Sequence, residues 1–77
     1  MDNIIKEKLE IKKKFGLNVR RYRLIRNISQ EELGELTGLH RTYISSVERG
    51  KQNISLENIY LISSALNVKI STLLDFD

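Results

Sequence analysis

The sequence predicts an all-α fold, and three observations predict it. Of 77 residues none is Pro and only 4 are Gly, so few positions tolerate the positive φ that hairpin turns demand. Apolar side chains recur at intervals of three and four, not in alternation. Ser, Gly and Asn stand where those runs begin and end. An apolar content of 40% suffices for one compact core, so a single domain over 1–77 is expected, with residues 1–5 free to fray.

Each of five helices has its own justification. From Lys6 to Arg26, Leu9, Phe15, Val19 and Tyr22 fall at roughly helical intervals among Lys and Arg; Gly16 costs about 1 kcal/mol relative to Ala and marks a candidate break. Ser29 and Glu32 form an S-x-x-E capping box, so a second helix starts at Gln30, runs through Leu33 and Leu36, and stops at Gly38. After Gly38-Leu39-His40 a third helix occupies Arg41 to Arg49, with Ile44 and Val47 spaced by three, and ends at Gly50. Ser55 with Asn58 opens a fourth, whose face is Leu56, Ile59, Ile62, Ser63 and Leu66 and which Asn67 closes. Ile70 to Asp75 makes a last short helix.

Composition excludes several function classes. Without Cys there is neither a disulfide framework nor a thiolate zinc site, and 1 His cannot build an imidazole cluster. No metal and no cofactor are expected. No apolar run approaches the ~20 residues that span a bilayer, and the N-terminus alternates charged with apolar residues, unlike a secretory signal. A cytoplasmic protein with no membrane partner is the expectation.

Charge is segregated. Residues 1–26 carry a net +6, residues 27–40 a net −3, residues 41–51 a net +2 and residues 52–77 a net −2. Positive charge therefore sits in two places. For the first block a solvated lysine-rich helix face is the favoured reading, and a phosphate or membrane patch at Lys12, Lys13 and Lys14 is the alternative.

A helix, a tight glycine-containing turn and a second helix make the layout whose second helix enters the DNA major groove. Arg41, Thr42, Ser45 and Ser46 occupy the start and outer face of the third helix, while Ile44 and Val47 point into the core. Arg is the commonest reader of guanine, through O6 and N7, and Ser or Thr can bond a base edge. These four are the candidate base-reading residues.

The run Ser29-Gln30-Glu31-Glu32-Leu33, then Gly38-Leu39, Arg41-Thr42-Tyr43-Ile44-Ser45 and Glu48-Arg49-Gly50 resembles the Xre/Cro-type helix-turn-helix of phage repressors. The likeness continues through Ile54-Ser55-Leu56 and Ala65-Leu66-Asn67-Val68 to Leu73, covering about residues 15–74. Within that family the chain is most similar to the controller proteins of restriction-modification systems, small dimeric regulators that bind operator DNA upstream of their own gene. The resemblance implies a lambda-repressor-like fold. It implies that Gln30, at a helix amino end, and Tyr43, Arg49, Lys51 and Asn53 bind phosphates, which set register while base contacts set sequence preference. Arg23 and Glu48 match a mostly buried structural ion pair joining the first helix to the third. Double-stranded DNA with a palindromic operator, a second copy of the chain and RNA polymerase are the implied partners. The implied behaviour is activation at low occupancy and repression as an adjacent site fills.

Two positions depart from the family pattern. Gly34 stands where Ala is usual, which still permits close packing of the two motif helices but weakens the second helix by about 1 kcal/mol. His40 stands where Ser, Thr or Asp is usual, which leaves the cap of the third helix in question.

Tyr60, Leu61, Leu74 and Phe76 fall off the main apolar stripes. They are the candidate dimer interface, and completion of the core is the alternative. A dimer would set two recognition helices about one DNA turn, ~34 Å, apart. A hydrolytic triad of His40 with Ser45 or Ser46 lacks a nucleophile elbow, an oxyanion loop and room for a pocket, so no enzyme and no small-molecule substrate are expected. The rival readings are a phage-type repressor or antitoxin-type autoregulator, and a protein-interaction module without DNA binding.

Overall fold

The computed structural model describes residues 2–76, which form α1 (Asp2–Ile25), α2 (Gln30–Thr37), α3 (Arg41–Glu48), α4 (Leu56–Ala65) and α5 (Ile70–Leu73). The described residues contain helices and turns and no strand. The core joins all five elements: Phe15 and Val19 from α1, Leu33 from α2, Ile44 and Val47 from α3, Ile62 and Leu66 from α4 and its cap, and Leu73 from α5.

α1 runs 24 residues without a break. Gly16 therefore interrupts nothing, and its role is packing. A Cβ there would strike the carbonyl oxygens of Val47 and Glu48, the latter at 2.7 Å. The carboxyl end of α3 rests directly on α1 backbone, and the propensity lost inside the helix is offset by that close approach.

Helix ends are closed by local chemistry. Asn27 at φ 61° ends α1, where its N–H reaches the Leu24 carbonyl and that of Ile28 reaches Arg23. Asn67 at φ 58° ends α4 in the same way, with bonds from Asn67 to Ser64 and from Val68 to Ser63. Both are paired-bond terminations in which Asn takes the left-handed position usual for Gly. α5 stops at Leu73, short of the expected Asp75, and Asn18 Nδ2 of α1 donates to the carbonyl oxygens of Leu73 at 2.9 Å and Asp75 at 3.2 Å, holding this end of the chain against α1.

The periodicity overstates burial at three positions. Leu9, Leu36 and Leu56 are exposed. In α2, two turns long, Thr37 takes the inward place instead of Leu36, its hydroxyl donating to the Leu33 carbonyl at 2.8 Å. Leu56 lies in the first turn of α4, which buries Ile62 and Ser63 further along.

Candidate nucleic-acid interface

α2 and α3 are set against each other by contacts that begin at Ser29. Its hydroxyl accepts from the Glu32 N–H at 3.0 Å, and the Glu32 carboxylate accepts from the Ser29 N–H at 3.0 Å. Gly38, at φ 76°, returns its N–H to the Gly34 carbonyl at 2.8 Å and turns the chain. A Cβ on Gly34 would lie 2.6 Å from the Leu39 carbonyl oxygen. Alanine does not fit this turn without displacement, so Gly34 permits an approach closer than a methyl allows.

His40 does cap α3. Its Nδ1 accepts from the Thr42 N–H at 3.1 Å and lies 2.8 Å from the Thr42 hydroxyl. The backbone N–H of Thr42 thus finds its acceptor on the imidazole, as a cap requires. The imidazole thereby does the work of the missing Ser or Asp.

A continuous polar chain links the protein interior to the amino end of α2. Arg23 Nε donates to Glu48 Oε2 at 2.7 Å and Arg23 Nη2 to Glu48 Oε1 at 3.0 Å, with both residues at least nine-tenths buried. Arg23 Nη1 also donates to the Ile28 carbonyl at 2.9 Å, tying down the α1–α2 connection. Hydrogen bonding to Glu48 raises the Arg23 pKa above its ordinary value against the opposing effect of burial. Gln30 Nε2 then donates to Glu48 Oε1 at 3.1 Å. One Gln30 N–H is thus spent inside the protein, leaving the other and the carbonyl for an outside group.

The outer face of α3 presents Arg41 and Thr42 exposed and Ser45 and Ser46 half-buried, over buried Ile44 and Val47. Arg41, Thr42, Ser45, Arg49 and Gln30 line one shallow cleft. The hydroxyls of this face are already engaged: Thr42 by His40, Ser45 by Arg49 Nη1 at 3.1 Å, and Ser46 by Gln52 Nε2 at 3.0 Å. Ser45 and Ser46 act here as acceptors, so each keeps its proton for donation. Tyr43 is half-buried, and its hydroxyl accepts from Asn58 Nδ2 at 3.0 Å, which fixes α3 to the first turn of α4. Lys51 and Asn53 are exposed on the loop after α3.

Away from this face, Tyr60, Leu61 and Leu74 are exposed, whereas Phe76 is half-buried and packed against the core. Gln52, Asn18 and the side-chain role of Asn58 carry no signal in the sequence. Asn58 was visible as part of a cap signal, which its backbone N–H fulfils on Ser55 Oγ at 3.2 Å, but nothing local indicates that its side chain crosses to Tyr43. Among the described residues no helix is long and apolar enough to cross a membrane, and no three His, Cys, Asp or Glu side chains group as a metal site.

Comparison with known proteins agrees with this geometry. Residues 19–73 match the HTH_3 family, described as helix-turn-helix. The control protein C.SmaI of Serratia marcescens is 48% identical over 66 residues, which cover 86% of this chain and 79% of that protein. The control protein C.BamHI of Bacillus amyloliquefaciens is 56% identical over 63 residues, covering 80% and 78%. Among solved structures, the restriction-modification controller protein C.AhdI from Aeromonas hydrophila superposes with a TM-score of 0.78 at 43% identity, covering 79% of this chain and 88% of that one.

Proposed function

This chain belongs to the HTH_3 helix-turn-helix family and is a DNA-binding transcriptional regulator of the restriction-modification controller type, and on that premise we propose that it acts as a homodimer on a palindromic operator controlling its own operon. The family is regulatory and not enzymatic, and we read this chain as non-catalytic and cytoplasmic, working where its DNA is.

The observation that carries the reading is the outer face of α3, where Arg41 and Thr42 are exposed beside the hydroxyls of Ser45 and Ser46. Short donors over an apolar inner face suit close approach to base edges, and the Arg41 guanidinium suits O6 and N7 of guanine. Gln30, Tyr43, Arg49, Lys51 and Asn53 would hold phosphates on either side and set register. Tyr60, Leu61 and Leu74 offer apolar surface for the dimer. A dimer on a high-affinity site would assist RNA polymerase, and occupancy of an adjacent site would block it.

Fluorescence anisotropy with the chain's own upstream DNA tests this. Tight binding to that duplex and weak binding to a scrambled one is the expected result, with affinity falling steeply as salt rises because bound phosphates release counterions. Equal affinity for both duplexes would refute operator recognition. Flanking genes for a methyltransferase and an endonuclease support the controller assignment, and a toxin or prophage cluster would point to the repressor or antitoxin reading.

A further inference from the structure

We propose that Gln52 is a further specificity-determining residue, a reader of adenine from the loop after α3, aimed at the groove by Ser46. The proposal rests on the DNA-binding reading above and adds to it a residue that neither the helix-turn-helix layout nor the outer-face pattern of α3 includes.

The turn after α3 brings Gln52 to that face. Gly50, at φ 73°, donates its N–H to the Val47 carbonyl at 3.0 Å, and the Lys51 N–H goes to the Ser46 carbonyl at 3.0 Å. This paired termination closes the helix and turns the chain. Gln52 then lies beside Ser46, and its Nε2 donates to Ser46 Oγ at 3.0 Å. The loop is braced from behind, since a Cβ on Gly50 would sit 2.8 Å from Lys13 Cα of α1. Lys51 and Asn53 on either side are exposed, whereas Gln52 is half-buried.

What remains unspent on the side chain defines its ligand. A primary amide has two N–H donors and one carbonyl acceptor. With one N–H committed to Ser46, Gln52 offers one N–H beside one carbonyl. That pair is complementary to N7 and N6–H₂ of adenine in the major groove, the usual bidentate partner of Gln. Ser46, one turn beyond Thr42 on the outer face, fixes the plane of the amide and so lowers the ordering entropy of a long, flexible side chain. Arg41 at the amino end of α3 and Gln52 beyond its carboxyl end would then read opposite ends of one half-site.

Selection from a randomised duplex library, run in parallel with the wild-type chain and with Gln52→Ala, Gln52→Glu and Ser46→Ala, tests the proposal. The wild type should recover a symmetric motif with adenine at a position in each half-site that Gln52→Ala leaves unselected, with about tenfold or more lost discrimination there. Gln52→Glu, an acceptor only, should move the preference at that position toward cytosine, and Ser46→Ala should flatten the same position in part. An unchanged motif with Gln52→Ala, or a uniform loss of affinity for every sequence as from a phosphate contact, would overturn the role of Gln52 while leaving operator recognition intact. A wild-type chain that recovers no motif would overturn both.

Discussion

Arg23 of α1 and Glu48 of α3 form a bidentate ion pair, with N–O distances of 2.7 and 3.0 Å, and the same carboxylate oxygen that accepts from Arg23 Nη2 also accepts from Gln30 at the start of α2. One buried carboxylate therefore holds three helices in register behind the DNA-facing surface. Burying two charges is costly unless each is fully bonded, and here Glu48 accepts three donors while Arg23 has a third bond on Ile28.

Removing one partner should strand the other. Glu48→Ala and Arg23→Ala are each expected to lower unfolding free energy by about 3–5 kcal/mol, measured by urea denaturation. The double replacement Arg23→Met with Glu48→Leu should recover much of that loss, because no buried charge is left over. The raised Arg23 pKa fixes the alkaline side: a group whose pKa rises on folding contributes stability that is fully present below its unfolded value, which for a guanidinium lies well above physiological pH. The stability difference between wild type and Arg23→Met should therefore stay constant from about pH 7 to about pH 10.

Arg41 and Lys51 should separate base reading from phosphate binding. Arg41→Ala is expected to cost about 1–3 kcal/mol on the operator and much less on scrambled DNA. Lys51→Ala should weaken both alike and reduce the slope of log affinity against log salt by about 1. Equal losses on both duplexes for Arg41→Ala would remove it from the base-reading set.

Gly16 and Gly34 should each resist replacement by Ala although both lie inside helices. Helix propensity alone favours Ala by about 1 kcal/mol. The added methyl would meet Val47 and Glu48 backbone at Gly16 and Leu39 backbone at Gly34, and backbone cannot rotate away as a side-chain tip can. Both variants are expected to be destabilised, by about 1–3 kcal/mol, in thermal or urea unfolding. A more stable Gly34→Ala would mean that the turn relaxes without cost.

His40→Ala should cost about 0.5–2 kcal/mol by uncapping α3, and His40→Asp or His40→Ser should restore most of it. The Ala variant should also free the Thr42 hydroxyl, which lies 2.8 Å from the imidazole. Circular dichroism with urea unfolding of the three variants checks the order.

The capping box at Ser29, the stop at Gly38 and the buried pair Ile44 and Val47 could be recognised from sequence because each depends on residues within four positions of one another. The outer face of α3 followed from the same three-residue spacing. Exposure of Leu9, Leu36 and Leu56 did not follow, since periodicity identifies a face without saying how far the neighbouring helix extends to cover it.

The sequence by itself determined the all-α class, the order of the helices, the capped starts of α2 and α4, the stop of α2 at Gly38, and which residues of α3 face outward, because those properties are set by torsional preference and hydrogen bonding within one turn of chain, whereas α1 begins at Asp2 ahead of the expected Lys6 and α5 ends at Leu73 ahead of the expected Asp75. Only the tertiary structure decided that Gly16 is a packing contact and not a weak point, that the approach at Gly34 is too close for a methyl, that α1 caps α5 through Asn18, and that Gln30 and Gln52 are tied to Glu48 and Ser46. Those relationships depend on distances across helix crossings and a reversed loop. Such distances arise from the joint packing of all five helices and leave no mark in local spacing.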